Sequence, residues 1–145
     1  MRAAVIEIGA TATGAVVAEP AAGGWFTVQA ERQVVLGLER AIQCHGEMGS
    51  GLCLLVAETV RRLLVECSRE GAVEVLTVLD ATVARAADRS ELLGLLDAFR
   101  TGPVHVRTML DEARLALMAA HPLVSNDETV TMAEIARAWH ASDPS

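Results

Sequence analysis

The first residues that could do chemistry lie in the segment AVIEIGATATGAVVAE, positions 4–19. Two runs of small and β-branched residues flank a turn made of Gly9, Ala10, Thr11 and Ala12, a pattern typical of a β-hairpin. Small residues let the backbone approach a ligand closely, and the N–H groups of such a turn can converge on an anion. The segment is therefore either a phosphate-binding hairpin or a plain hairpin.

Acidic side chains are the next candidates. Glu7 ends an apolar run, which is an uncommon position for a carboxylate and favours a site there. Asp111 and Glu112 begin a predicted helix over 111–120. Negative side chains in the first turn of a helix are stabilised by the helix dipole, by about 0.3–1 kcal/mol. The pair Asp111 and Glu112 therefore has a structural explanation as well as a functional one.

Histidine and cysteine give no recognisable metal site. The four histidines lack metal-ligand spacing, and the adjacent pair Cys44 and His45 is a weak signal because neighbouring side chains diverge. Three cysteines without a CxxC pair indicate reduced, mostly buried thiols rather than a disulfide framework. This cysteine usage favours a cytoplasmic protein.

Composition excludes several classes of function. The chain has 145 residues, enough for one domain with a core, and its net charge is −7. All twelve basic residues are arginine, which excludes a P-loop lysine or a Schiff-base lysine. The acidic charge and the scarcity of aromatic residues argue against nucleic acid and anionic membranes as partners. No apolar run approaches the ~20 residues that span a bilayer.

The hairpin must be held by the elements that follow it. A turn at 20–24 leads to a third extended segment, WFTVQAERQVVLG, so the first three strands form an antiparallel meander. Apolar residues at three- and four-residue spacing then predict a long helix over 50–69, and Gly71 ends it.

The rest of the chain alternates between strand and helix. The predicted elements are a strand at 73–80, a helix at 90–100 capped by Ser90, a strand at 104–109 and the helix at 111–120. Strands joined through helices become parallel neighbours. The prediction is an α/β protein with a mixed five-stranded sheet, an antiparallel meander plus two parallel strands, and helices on its faces. This is the order of a ribonuclease H-like lobe.

The succession resembles the N-terminal lobe of the exopolyphosphatase and guanosine pentaphosphate phosphatase (Ppx/GppA) family, in the actin-like ATPase superfamily. The resemblance rests on four segments in the family's order: AVIEIGATATGAVVAE, VVLGLERAIQCHGEMG, VLTVLDATVARAADRSELL and VRTMLDEARLALMAA. It predicts a lobe over 1–121. In the tail over 122–145, the capping-box spacing of Thr131 and Glu134 predicts one short helix.

The resemblance also implies roles for individual residues. The turn of Gly9, Ala10, Thr11 and Ala12 falls on the phosphate-binding segment, and Glu7 falls on the acid that helps to hold a metal ion or water. Glu112 falls on the glutamate that acts as general base on the attacking water. Arg85 stands one position beyond a phosphate-binding arginine and is a weak candidate for the same role. Mg²⁺ is the cofactor implied for an active protein.

Departures from the family pattern fall on the same chemistry. Two arginine positions are occupied by Gly14 and Ala84, a loss of roughly 3–6 kcal/mol of phosphate contacts. Asp80 stands at the family's threonine, where its charge would repel a phosphate. Arg85 is not expected to substitute for the lost arginine, because a shift of one residue in an extended segment turns a side chain to the opposite face.

Two functions are therefore compatible with the sequence. The first is a non-catalytic single-lobe protein, a pseudoenzyme, that binds a protein partner, a second copy of itself as a homodimer, or weakly a phosphorylated ligand. The second is a phosphoanhydride hydrolase acting on polyphosphate or guanosine pentaphosphate, completed by a second lobe from another chain or by dimerisation. The residues after 121 are too few for that second lobe and lack its glycine-rich turn, which favours the first function.

Overall fold

The computed structural model describes residues 1–24 and 26–111. They form one five-stranded sheet with the order β3-β2-β1-β4-β5. The strands are β1 (Arg2–Ile8), β2 (Thr13–Pro20), β3 (Phe26–Val34), β4 (Ala72–Leu79) and β5 (Val104–Val106). The helices are α1 (Leu38–His45), α2 (Ser50–Arg69), α3 (Ala81–Ala84) and α4 (Arg89–Ala98), with a 3₁₀ turn at Ala22–Gly24.

The mixed sheet confirms the predicted topology. β1 pairs antiparallel with β2, and β2 pairs antiparallel with β3, as expected for strands joined by short turns. β4 pairs parallel with β1, and β5 pairs parallel with β4, because a helical connection precedes each of them. The carboxyl ends of β1, β4 and β5 therefore meet at one edge of the sheet.

The core lies between the sheet and α2. The alternating residues Ala4, Ile6 and Ile8 of β1 are buried, and so are the apolar residues of α2 at helical spacing. The latter are Cys53, Val56, Ala57, Val60, Leu63 and Cys67. Each large apolar side chain buried in this way contributes about 1.5–3 kcal/mol. The predicted helix over 50–69 is confirmed, and Gly71 follows its end with a φ of 84° that favours glycine.

Several details differ from the prediction. α1 was not predicted, because glycines with positive φ at both ends, Gly37 and Gly46, interrupt the sequence pattern. α4 begins after Asp88 rather than at Ser90, which lies inside the helix. The short α3 was not predicted either, so the segment that carries Ala84 and Arg85 is helical rather than extended, and the argument from strand alternation was wrong.

The last predicted strand also ends early, at Val106. Thr108 and Asp111 form a reciprocal cap: the Thr108 N–H donates to Asp111 Oδ2 at 2.8 Å, and the Asp111 N–H donates to Thr108 Oγ1 at 3.1 Å. A helix therefore begins at residue 109. Glu112, most of the helix predicted over 111–120 and the tail over 122–145 lie outside the described residues. Among the helices that the structure describes, none is long and apolar enough to cross a membrane.

Candidate functional site

The turn between β1 and β2 is tight and has a strict need for glycine. The Gly9 N–H donates to the Ala12 carbonyl at 3.1 Å, and Ile8 faces Thr13 in the ladder on either side of the turn. A Cβ at position 9 would lie 2.6 Å from the Ala12 oxygen, too close for any side chain. Glycine therefore allows this backbone to close.

Asp80 joins this turn to the end of β4. Because β4 is the parallel neighbour of β1, the residue after β4 lies beside the turn, and the Asp80 N–H donates to the Ile8 carbonyl at 3.1 Å. The Asp80 carboxylate accepts two backbone hydrogen bonds, from the Ala10 N–H to Oδ2 at 2.8 Å and from the Val83 N–H to Oδ1 at 2.8 Å. The second of these caps α3.

Arg107 reaches the same place from the end of β5. Its N–H donates to the Leu79 carbonyl at 2.9 Å, and its guanidinium Nη2 lies 3.5 Å from Glu7 Oε2. Arg107 is only 8% exposed, whereas 47% of the Glu7 side chain is exposed. A buried guanidinium requires a negative partner, so the pair places a cation directly against the Glu7 carboxylate.

Sequence reasoning missed Arg107. The signal was its position directly after the strand VHV, since the residue that follows β5 lies beside the ends of β4 and β1. A lone arginine at that position becomes informative only when the order of the three strands is known.

These residues border a cleft of about 610 Å³ on the sheet face opposite α2. Val5 and Glu7 alternate with the core residues of β1 and therefore point to this side. In and beside the turn, the cleft is lined by Glu7, Gly9, Thr11, Ala12, Asp80 and Arg107, and Glu31, Arg32 and Gln33 of β3 line it as well. The structure thus collects most of the predicted phosphate-binding turn and the predicted metal-holding acid in one place.

Two predicted positions stand apart. Ala10 is buried, with its N–H bound to Asp80 and its carbonyl accepting from the Glu39 N–H at 3.0 Å. Arg85 is exposed at the C-terminal end of α3 and does not border the cleft. Its role in binding phosphate stays a prediction, as does that of the turn.

The two positions of the missing arginines differ in their surroundings. Ala84 is buried in the core. Gly14 borders the cleft, but a Cβ there would lie 2.7 Å from the Arg32 carbonyl oxygen. Neither position accepts an arginine without movement of the neighbouring backbone or core.

The Glu7 and Asp80 carboxylates of the cleft do not fit a Mg²⁺ site. Mg²⁺ needs carboxylate or water oxygens in a close octahedral arrangement. The Glu7 carboxylate already faces a guanidinium, and both oxygens of Asp80 accept backbone hydrogen bonds. A divalent cation placed at Glu7 would be repelled by Arg107 at short range.

A second group of possible metal ligands lies away from the cleft. Ligand atoms of Cys53, Asp88 and Glu91 lie within 4.8 Å of one another. The Asp88 carboxylate, however, accepts hydrogen bonds from the Met48 N–H at 2.9 Å and the Gly49 N–H at 2.7 Å, and the Cys53 thiol donates to it across 3.6 Å. The carboxylate therefore holds the start of α2.

The pKa shifts of Cys53 and Asp88 agree with a structural role. Burial, followed by the negative charge of Asp88, raises the pKa of the Cys53 thiol to about 12. Burial also acts to raise the pKa of Asp88, but the hydrogen bonds from the Met48 and Gly49 N–H groups bring it below its ordinary value. The thiol is protonated near neutral pH and serves as a donor, whereas metal binding requires the thiolate.

Comparisons with known proteins locate the fold. No sequence profile of a known family matches the chain, and no curated protein matches it. A solved Ppx/GppA family member from Aquifex aeolicus is 21% identical, with a TM-score of 0.72 over 82% of this chain. An exopolyphosphatase from Cytophaga hutchinsonii is 16% identical, with a TM-score of 0.72 over 84% of this chain.

A solved exopolyphosphatase-like protein is 15% identical, with a TM-score of 0.73 over 87% of this chain. The chain spans 38–40% of the length of these three structures. The likeness confirms the predicted fold: this chain has the mixed five-stranded architecture of a single lobe of the Ppx/GppA structures.

Proposed function

We propose that this chain is a non-catalytic, single-lobe relative of the exopolyphosphatases that works by binding. Its partner is a second copy of the chain or another protein, and a phosphorylated ligand binds only weakly. The observation that carries the proposal is the Arg107 guanidinium 3.5 Å from Glu7, the residue aligned with the family's metal-holding acid.

Charge compensation is the physical reason. A carboxylate that helps to hold a divalent cation must offer an oxygen toward it, and catalysis by such a cation depends on its charge beside the reacting phosphoryl group. Glu7 instead has its charge balanced by a side chain of the same chain, since the main chain of Arg107 is bonded to β4 and its guanidinium is buried. The cation that balances Glu7 is thus a side chain of the protein itself, which disfavours a divalent cation beside this carboxylate.

The phosphate side of the cleft supports the same function. Where the family pattern has hydroxyl and amide donors, the turn has the buried methyl group of Ala10, the hydroxyl of Thr11 and the methyl group of Ala12, and only the last two residues border the cleft. Gly14 and Ala84 replace two phosphate-binding arginines, and Asp80 adds negative charge. A polyanion would lose its hydration here without enough donors to replace it.

The test is an assay of phosphate release from tripolyphosphate, guanosine pentaphosphate and ATP with Mg²⁺. We expect no release above that of a matched Glu112→Gln variant. Release that disappears in Glu112→Gln would overturn the proposal in favour of the second function, a hydrolase completed by another lobe. Equal phosphate release in both proteins would come from a contaminating enzyme, and the proposal that this chain is non-catalytic would stand.

A measurement of mass in solution tests the binding part. We expect light scattering on a size-exclusion column to give the mass of a dimer, or of a complex when a co-purified partner is present. A monomer at all concentrations, with no retained partner, would contradict it.

A further inference from the structure

The turn at 9–12 already has a negative ligand, and that ligand belongs to the protein. Asp80 Oδ2 lies 2.8 Å from the Ala10 nitrogen, across 70 residues of sequence. A Cβ placed on Gly9 would lie 3.4 Å from Asp80 Oδ2, and no other side-chain atom would lie nearer to it. The carboxylate therefore packs directly against the turn.

The geometry is that of an anion bound by backbone N–H groups. Within the described part of the chain, the N–H groups of Thr11 and Ala12 donate no hydrogen bond. Ala10 is the residue of this turn whose N–H binds a carboxylate. Charged hydrogen bonds of this length are the strong ones. Any further anion at the turn would stand beside the Asp80 carboxylate and be repelled by it.

We propose that Asp80 is an internal oxyanion that occupies the turn and excludes external oxyanions of the phosphate and sulfate class from it. This deepens the proposed function, on which it rests, by naming the group that makes phosphate binding weak. Asp80 is anchored in this position because its other oxygen caps α3 and its main chain is bonded to Ile8. An external phosphate binds to the turn only when this carboxylate has been replaced by mutation.

The test compares wild type with Asp80→Ser and Asp80→Asn in calorimetric titration with tripolyphosphate, without metal. Serine keeps a cap for α3 but is too short to reach the turn, and asparagine keeps the shape while removing the charge. Asp97→Asn, an exposed aspartate on α4 outside the cleft, is the control for the same change in net charge. We expect both Asp80 variants to bind at least about tenfold more tightly than wild type, and the control to bind within about twofold of it.

A second measurement uses the unaltered protein. In an amide hydrogen-exchange measurement by NMR, the Ala10 N–H should exchange more slowly than the N–H groups of Thr11 and Ala12, because only the Ala10 N–H is bound by a carboxylate. An Ala10 N–H that exchanges as fast as those two would overturn the proposal whatever the variants do. So would folded Asp80 variants that bind tripolyphosphate no better than wild type.

The two proposals fail in different ways. Glu112-dependent phosphate release by wild type contradicts the non-catalytic function but leaves the occupation of the turn to the binding and NMR measurements. Unchanged binding in the Asp80 variants contradicts the occupation alone.

Discussion

Two aspartates eight positions apart, Asp80 and Asp88, use the same chemistry in two regions of the molecule. Each carboxylate accepts two backbone N–H groups, and each links segments that are distant in sequence. Asp88 binds successive amides that precede α2 and accepts a hydrogen bond from the Cys53 thiol, and it does not line the 610 Å³ cleft. Asp80 divides its oxygens between its own helix and a turn that borders the cleft.

The comparison of Asp80 with Asp88 shows that a carboxylate that accepts hydrogen bonds from backbone amides does not by itself indicate a functional site. At Asp88 both amides belong to the scaffold, so the interaction stabilises the fold. At Asp80 one amide, that of the buried Ala10, belongs to the turn beside the cleft, and Asp80 itself lines the cleft, so under our proposal the interaction also affects what the turn binds. The position of the amides relative to the cleft distinguishes the two.

The largest expected effect is on stability, at Asp88. Asp88→Ala leaves two partly buried amides and a thiol without their acceptor, and we expect the free energy of unfolding to fall by about 3 kcal/mol. Urea unfolding followed by circular dichroism measures it, with the exposed Asp97→Ala on α4 as the control. A loss no larger than that of the control would show that the Asp88 interactions add nothing to stability.

The charge of Asp88 predicts a dependence of this stability on pH. Its pKa in the folded protein lies below the ordinary value of 3.8, so the folded state favours the ionised form. The stabilisation is fully present above the unfolded pKa and is lost as pH falls through the folded one. We expect the difference in unfolding free energy between wild type and Asp88→Asn to be constant near neutral pH and to shrink in acid. A difference that grows on acidification would contradict the assignment.

A smaller loss of stability is expected at Asp80. Asp80→Ser keeps a cap for α3 and gives up mainly the hydrogen bond to Ala10, which contributes about 1–2 kcal/mol. The same urea measurement compares it directly with Asp88→Ala. If Asp80→Ser were the more destabilising of the two, the hydrogen bond between Asp80 and the turn would serve mainly to stabilise the fold. That result would argue against a role of Asp80 in controlling anion binding.

The smallest effect is a difference in reactivity among the three thiols. Modification of the exposed thiol is expected to leave the stability of the fold unchanged. Cys44 is exposed, whereas Cys53 and Cys67 are buried and burial raises the pKa of both. Because the thiolate is the reactive form, iodoacetamide near pH 8 should modify Cys44 first, as read by mass spectrometry of peptides. Early labelling of Cys53 would mean that the Asp88 region opens readily in the folded protein.

The sequence by itself determined the elements whose cause is local. Spacing of apolar residues predicted the helix now seen at Ser50–Arg69, small residues between β-branched runs predicted the hairpin of β1 and β2, and alternation of strand and helix predicted the mixed sheet. The short helices α1 and α3 escaped because their ends depend on glycine conformation and on a cap rather than on periodicity.

The tertiary structure alone decided which charges meet. Glu7 is bound to Arg107 and the turn is bound to Asp80 because β1 lies beside β4 and β4 lies beside β5, which brings three strand ends to one edge. These partners are separated by many tens of residues, and no local pattern records their pairing. Electrostatic and hydrogen-bond energies depend on distances of a few ångströms, and only the packed sheet sets those distances.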